Sequence, residues 1–423
     1  MPMKCCLFVN ENMTTGRPTI HFYLFCTGIV LMMVGFLLSR SLLSIGTFVV
    51  IVNGLLQNDY KERWAVLKAS PFLLGISCLF FFPFLSGLWS TDLVTWEAAM
   101  QDKLPLLLLP IAMVLQKGVQ RKHIVFFSIV WIGLMLAGSL WSASHYINRE
   151  ETYEALYRIS KVLPTPADND HIRFSMAIVI AVLLWLQLED WKAIASVKWQ
   201  WLFRAVVGWL IVYLHLLGAK TGLLGVYLIV LPLLIWKMVE ANQKQVAAIV
   251  LAAACCLPVV AYYSLSTFRA RVQYVLFEQQ NWESANFAGG FSDQNRLLSI
   301  KSGWHVFTQN WLTGVGYGDI RTETAKWYAA EAPAVPASQQ FLPLNQWVTS
   351  GSGAGIAAVL LFTIVVLLPF FQSQWRQNKQ AIFFLLFMNI IFLYETTIDD
   401  QFGVYLFTFF TLFWNHTIRQ AKI

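Results

Sequence analysis

Apolar runs long enough to cross a bilayer recur from one end of this 423-residue chain to the other, and no other feature constrains its fold so strongly. A spanning helix needs about 20 mostly apolar residues, and flanking groups let shorter runs span as well. On that template twelve segments stand out: 21–39, 41–57, 70–89, 104–117, 123–144, 174–188, 201–218, 222–236, 246–266, 346–371, 381–396 and 402–416. Backbone groups in hydrocarbon must be bonded within their own segment, so each run is expected to be helical. The expected fold is all-α, a polytopic membrane protein with about 12 transmembrane helices. Composition points the same way. Charged residues make up 13% of the chain, half of the roughly 25% in soluble domains. Such a chain cannot cover a compact surface with polar groups, and disordered, collagen-like and disulfide-scaffold classes are excluded by the same arithmetic.

The formal net charge of +7 would suggest nucleic acid in a soluble protein, but its distribution assigns it to membrane topology. With the N-terminus in the cytoplasm, that side receives seventeen basic residues against six acidic ones (Glu11, Asp59, Glu62, Glu189, Asp190, Glu240). The other side holds thirteen basic and seventeen acidic residues. This bias predicts two cytoplasmic termini and an even number of spans; no nucleic-acid partner is expected. The polar first 20 residues lead into an apolar run without a small-residue cleavage site, which reads as an uncleaved first span. The six cysteines sit in or beside apolar runs and read as small hydrophobes. The chain reads as one integral domain, 1–423, with two long outer loops, about 145–173 and 267–345. The second contains amphipathic stretches and is expected to form a helical subdomain on the membrane.

Most charged residues at span ends are anchors whose heads reach water. Three places suggest more. Gly218-Ala219-Lys220-Thr221-Gly222 breaks two apolar runs and sets free backbone N–H groups beside one cation, which suits an anion such as phosphate. The plainer reading is a turn with an anchoring lysine. His171-Ile172-Arg173-Phe174-Ser175 brings a guanidinium to the mouth of the next span, where its fork can hold phosphate oxygens or simply anchor the helix. Asp168, Asp170 and His171 lack further partners at metal-ligand spacing and read as a solvated loop start. The third place is the large loop, where Leu297, Ile300, Trp304 and Phe307 recur at helical spacing after Arg296. It continues into Gly314-Val315-Gly316-Tyr317-Gly318-Asp319, read as a tight turn because no strand precedes it. Asn345-Gln346-Trp347 then opens the tenth run. Lys103, Arg173, Lys220 and Arg296 thus mark the outer mouth from distant parts of the chain. A lipid-linked diphosphate needs such a cluster, both to bind and to stabilise charge on the leaving group.

These stretches together resemble the O-antigen ligase and O-antigen polymerase superfamily of bacterial inner membranes. Leu85-Ser86-Gly87-Leu88-Trp89-Ser90 with Lys103-Leu104-Pro105 resembles its early outer loop, and His171 to Ser175 its pre-span motif. The Lys220 break is similar to a motif that usually reads Ser-Arg-Gly. Arg296 through Asp319 matches the large-loop pattern, and Glu395 through Gln401-Phe402-Gly403-Val404 resembles a late motif. The resemblance implies a metal-independent, GT-C-like glycosyltransferase without cofactors, acting at the periplasmic face of the inner membrane. It would transfer a glycan from an undecaprenyl-diphosphate-linked donor to an acceptor hydroxyl, on lipid A-core for a ligase or on another glycan for a polymerase. Its partners would be those substrates and membrane lipids. Lys220 and Arg296 take the catalytic positions; Arg173, Lys220, Arg296 and Lys103 would engage the donor diphosphate. His171, Gly314, Gly316, Asn345 and Gln346 would position acceptor or loop.

One departure stands out. Where the family carries histidine before the tenth span, this chain has Leu344. A sugar hydroxyl is a poor nucleophile, and losing a positioned base costs about 10²–10⁴-fold. Another residue supplies the base, the acceptor differs, or the member is inactive; His171 and His305 are the outer-side histidines considered for the role. A non-enzymatic transporter or lipid-binding paralogue is the rival class, although a transporter should place ionisable groups at the midplane.

Overall fold

The computed structural model describes residues 17–57, 59–116, 118–280 and 292–420, and every regular element among them is a helix. Lys4, Cys5, Cys6, Glu11, Lys117 and Lys422 of the sequence argument lie outside the described residues. A hairpin of α1 (Arg17–Leu38) and α2 (Arg40–Leu55) opens the chain, and α3 (Tyr60–Lys68) turns off it by 108°. The broken pair α4 (Pro71–Cys78) and α5 (Phe81–Leu85) leads to α6 (Leu93–Met113), α7 (Arg121–Ser144) and the short α8 (Glu150–Tyr157). Then come α9 (His171–Asp190), α10 (Val197–Leu217) and α11 (Lys220–Gly225), the last running through a π-helical turn into α12 (Leu231–Glu240). After α13 (Lys244–Ser264), three helices fill the long stretch before the next span: α14 (Ser266–Gln280), α15 (Ser292–Gln309) and α16 (Ile320–Glu331). The chain ends with α17 (Gln346–Leu367), α18 (Ser373–Arg376), α19 (Lys379–Phe392) and α20 (Gln401–Gln420).

Among the described residues, eight helical stretches are long and apolar enough to cross a membrane, or nine if α2 and α3 form one bent span. That is fewer than the twelve runs expected. The remaining runs fall on α6, which carries Glu97, Asp102 and Lys103, on the 14-residue α19, and on α20, whose Asn415, His416 and Arg419 dilute its apolar character. Polar groups of α20 find partners where α6 ends. His416 Nε2 lies 2.8 Å from the Met113 carbonyl, and Arg419 donates to the Val114 carbonyl at 2.7 Å. The chain is an all-α polytopic membrane protein.

Helix α9 is the centre of the bundle, with Phe174 through Leu184 buried without interruption. Around it pack α7, α11, α19 and α20. Between lipid-embedded helices packing and hydrogen bonds replace the hydrophobic drive. Accordingly Trp131 of α7 donates to the Ala177 carbonyl at 3.1 Å while its ring meets Phe410 edge-on at 4.8 Å. At the other extreme α13 is almost wholly exposed, the face a bilayer would cover.

Helix α15 differs from the sequence reading. It extends back beyond Arg296 to Ser292, because the Glu278 carboxylate of α14 accepts from the amides of Asp293 (2.6 Å) and Gln294 (3.1 Å). This cap comes from a residue no local pattern reveals. The expected apolar stripe is only partly the packed face: Phe307 is buried but Leu297 and Trp304 are exposed, whereas Ser299, Ser302 and Gly303 are buried. Small residues let α15 approach α17 closely, and Ser352 donates to the Gly303 carbonyl at 2.9 Å.

Helix α17 kinks at Gly355, whose φ of +74° suits glycine; a Cβ there would lie 2.2 Å from the Leu312 carbonyl oxygen. The opened turn takes hydrogen bonds from the large loop. Val315 N donates to the Ser352 carbonyl (2.8 Å) and Gly316 N to the Gly353 carbonyl (3.0 Å), while Ile356 N donates to the Trp311 carbonyl (2.8 Å).

Candidate functional site

One end of the bundle gathers the break between α10 and α11, the start of α9, the face of α14, the first turns of α15 and the turn after α19. Each arrives there for a local reason. Asp170 caps α9 by accepting from the Arg173 amide at 2.9 Å, which sets His171 at the first helical position. Gly218 closes α10 with its amide on the Leu214 carbonyl at 3.0 Å, and Lys220 starts the next helix two residues on. On α14, Phe268, Arg271, Tyr274 and Glu278 share one face by their three- and four-residue spacing.

These elements enclose a cavity of about 320 Å³ whose wall includes His171, Lys220, Arg271, Asp293, Arg296 and Tyr394. Three cations from three helices therefore share one space. Lys220 Nζ pairs with Asp293 at 2.5 Å, and Arg296 Nη1 with Glu395 at 2.5 Å while also donating to the Tyr394 carbonyl at 3.0 Å. Arg271 differs. It donates to Ser160 Oγ at 2.9 Å, stacks over Tyr274 at 5.4 Å, and has no carboxylate in ion-pair range among the described residues. Burial pushes its guanidinium below the ordinary value, with Tyr274 and the Asp293 carboxylate opposing. Burial also pushes the Glu278 carboxyl up, with the Asp293 charge adding to the shift.

Two of the four expected diphosphate ligands are elsewhere. Arg173 is buried behind the wall, 3.6 Å from Asp170, 3.6 Å from Glu395 and 3.7 Å from Asp400, and donates to the Thr396 carbonyl at 3.1 Å. Three carboxylates already compensate its charge. Lys103 is fully buried on α6, paired with Asp399, donating to the Ile398 carbonyl at 2.9 Å and lying 4.8 Å from the Tyr317 ring centre. Neither lines the cavity. Both are tied to the turn at 395–400, because a cation in a low-dielectric interior must be paired.

Of the residues expected to place acceptor or loop, Asn345 and Gln346 are engaged with neighbouring segments. Asn345 caps α17 by accepting from Val348 N (3.0 Å) and donates to the Leu393 carbonyl (2.8 Å). Gln346 donates to Asp399 (2.5 Å) and accepts from Ile398 N (3.0 Å). Gly314 and Gly316 lie in the turn between α17 and residues 86–92; at Gly316, φ +94°, a Cβ would lie 2.2 Å from Ser90 Oγ. The turn is tied further by Asp319. Its carboxylate accepts from Thr91 Oγ1 (2.6 Å), Thr91 N (2.7 Å) and Asp92 N (3.1 Å). Burial pushes the Asp319 carboxyl up, but these hydrogen bonds outweigh it and hold the group below its ordinary value.

Of the histidines, His171 lines the cavity and His305 is exposed on α15. His215 is buried between Tyr227, whose hydroxyl is 2.7 Å away, and Phe268. Leu344 donates its amide to Ser299 Oγ at 3.2 Å and does not line the cavity. Sequence reasoning missed Arg271, Glu395 and Asp399. For Arg271 the signal was available in the α14 spacing; for the two acids it lay in the quoted stretch from Glu395 to Gln401, whose pairing to remote cations needs the fold.

Residues 205–349 match the family model described as O-antigen ligase. The matched third of the chain contains all three cavity cations, Lys220, Arg271 and Arg296. The match supports membership of the O-antigen ligase superfamily and an O-antigen ligase/polymerase-type membrane enzyme, whose substrates are in general glycans and lipid-linked. No curated protein matches the chain.

Proposed function

We propose that this protein is a glycosyltransferase of the O-antigen ligase type, which moves a glycan from an undecaprenyl-diphosphate-linked donor to a hydroxyl of lipid A-core. The carrying observation is the convergence of Lys220, Arg271 and Arg296 on one cavity at the end of an apolar bundle. A diphosphate is the anion such a set suits, since guanidinium forks and an ammonium satisfy several oxygens at once and offset the charge that grows on the leaving group. Among the described residues each of Lys220 and Arg296 has one carboxylate partner, so the donor exchanges with Asp293 and draws Arg296 from Glu395. Arg173 and Lys103 act at one remove, by fixing the 395–400 turn that carries Glu395 and adjoins Tyr394.

The cavity is read as periplasmic and both termini as cytoplasmic, in the inner membrane. This is supported by the basic loops near Lys192, Lys198, Lys244 and Lys379, which join helices at the ends remote from Lys220 and His171. The 267–345 segment is read as a periplasmic subdomain closing the cavity and 145–173 as the smaller periplasmic loop. No metal or cofactor enters this reading. Purified protein given an undecaprenyl-diphosphate-linked glycan and lipid A-core should transfer glycan, and Arg296→Ala or Lys220→Ala should abolish transfer. Undiminished activity in both variants overturns the clamp. A product ladder of repeat units in place of a single addition would identify a polymerase.

A further inference from the structure

We propose that His171 is the residue that takes the proton from the acceptor hydroxyl, an assignment that rests on the glycan-transfer reading above. The argument is one of elimination inside a single cavity. A hydroxyl that attacks an anomeric carbon must lose its proton, and the acceptor of that proton has to stand within hydrogen-bond reach of the bound hydroxyl. The wall offers three side chains able to accept one: Asp293, Tyr394 and His171. Asp293 is the counter-ion of Lys220 at 2.5 Å and so belongs to the set of groups that hold and release the donor diphosphate. Tyr394 is a phenol whose proton is held more firmly than usual because burial pushes it up, so it remains protonated. Behind the wall, Glu395 is sandwiched between Arg296 and Arg173, and Glu278 is occupied by the amides that begin α15.

His171 is left. Its ring makes no hydrogen bond or ion pair among the described residues, while its backbone is fixed by the Asp170 cap at the start of the buried helix α9. An imidazole that serves only packing is normally tied through at least one ring nitrogen, as His215 is to Tyr227 and His416 to the Met113 carbonyl. A ring nitrogen left open toward a polar cavity is available to a ligand. The groups facing it from neighbouring elements are Lys220 on α11, Arg271 on α14, and Asp293 and Arg296 on α15, with Tyr394 on the turn after α19 and Asp170 and Arg173 on its own segment.

The step balances without a further reactant. The acceptor hydroxyl gives its proton to His171 as its oxygen forms the new bond to the anomeric carbon. The bond from that carbon to the diphosphate oxygen breaks, and its electron pair stays on the undecaprenyl diphosphate held by Lys220, Arg271 and Arg296. The imidazolium then returns its proton to water or to the departing diphosphate. Leu344 stands at the position where a histidine was expected from the resemblance, and His171 supplies the same chemistry from another helix.

The test separates binding from transfer, using full-length protein in nanodiscs, an undecaprenyl-diphosphate-linked disaccharide and lipid A-core. His171→Asn and His171→Gln should bind the donor within about twofold of the parent and lose transfer by about 10²–10⁴-fold. The parent's transfer rate should fall on the acid side, where the imidazole takes a proton, and the residual rate of both variants should lack that limb. Full transfer in either variant, or an unchanged acid limb, overturns the assignment of the base alone. A parent rate with no acid limb overturns it too, even if neither variant folds. Donor binding that survives both Lys220→Ala and Arg296→Ala overturns the underlying reading, whatever His171 does.

Discussion

Nη1 of Arg296, on the wall of the cavity, lies 2.5 Å from the buried Glu395 carboxylate, whose other oxygen faces Arg173 at 3.6 Å. One carboxylate therefore couples a cation that can meet a ligand to one that cannot. The chain of charges continues from Arg173 to Asp400 (3.7 Å), and from Asp400 through Arg40 (3.5 Å) to Asp168 (3.1 Å). It fixes the starts of α2, α9 and α20 relative to α15. Removing one partner of a buried pair leaves an uncompensated charge, at a cost of about 3–5 kcal/mol. Glu395→Ala should lower the unfolding midpoint sharply in detergent, with Glu395→Gln intermediate. An unchanged midpoint would show that the charges relax into water.

Arg271 has no carboxylate in ion-pair range among the described residues, so a bound phosphate would not have to displace one to reach its guanidinium. Hydrogen bonds to charged groups contribute about 1.5–3 kcal/mol, which corresponds to roughly ten- to a hundredfold in affinity. Arg271→Ala should weaken undecaprenyl diphosphate binding by that factor, and Arg271→Lys should restore part of it, having charge without the fork. Titration with the unglycosylated lipid diphosphate measures both. Equal affinities in parent and Arg271→Ala would remove Arg271 from the site.

Lys103 makes the opposite case. It is sealed between Asp399, the Ile398 carbonyl and the Tyr317 ring, and Gln346 shares the same carboxylate. Lys103→Met should destabilise the protein by several kcal/mol through the orphaned Asp399, while donor affinity per folded molecule stays within about twofold. Lys103→Met combined with Asp399→Leu should regain much of the lost stability. A selective loss of donor affinity at an unchanged unfolding midpoint would place Lys103 in the cavity after all.

How much of this was legible beforehand divides by the range of the interaction. Apolar length and charge bias are properties of single segments, so the helical, membrane-embedded class follows from them directly. Lys220 and Arg296 stood out because each interrupts a local pattern, one at a helix break and the other ahead of an amphipathic run. Arg173 and Lys103 carried the same signal, a cation beside an apolar run, yet both are sealed by acids more than 200 residues away. A local pattern cannot distinguish a cation awaiting a ligand from one already neutralised. Arg271 was overlooked for the converse reason: it falls in the long outer loop beyond the 246–266 run, where no break or motif marks it. Fewer helices meet the length and apolarity of a span than the twelve apolar runs, because α6 and α20 carry polar side chains that are paired across the bundle.

Asp319 gives a pH dependence with a definite sign. Its hydrogen bonds to Thr91 and Asp92 hold the folded-state carboxyl below the ordinary value near 3.9. A depressed folded-state pKa means the stabilisation is fully present above the unfolded value and is lost as the pH falls through the folded one. Asp319→Asn should therefore melt below the parent by a constant margin from about pH 5 to 8. The margin should shrink below about pH 4 as the parent's own carboxyl takes up a proton. A margin independent of pH down to about pH 2 would mean that shape, and not ionisation, is what the turn requires.

Gly316 is a last test of whether the large loop matters as scaffold or as ligand. Its φ of +94° is strained for any L side chain, and a Cβ would meet Ser90 Oγ at 2.2 Å and Ser90 Cα at 3.0 Å. The added methyl cannot be absorbed by rotating Ser90 alone, since the second contact is backbone. Strain of this kind costs about 1–3 kcal/mol, and displacing the turn also stretches the Gly316 N bond to the Gly353 carbonyl and the Asp319 contacts. Gly316→Ala should lower the unfolding midpoint by that order. Because the turn does not line the cavity, undecaprenyl diphosphate affinity at temperatures well below the midpoint should stay within about twofold. A loss of affinity without a loss of stability would instead make the glycine turn part of the donor site, and would move the cavity's working boundary toward residues 86–92.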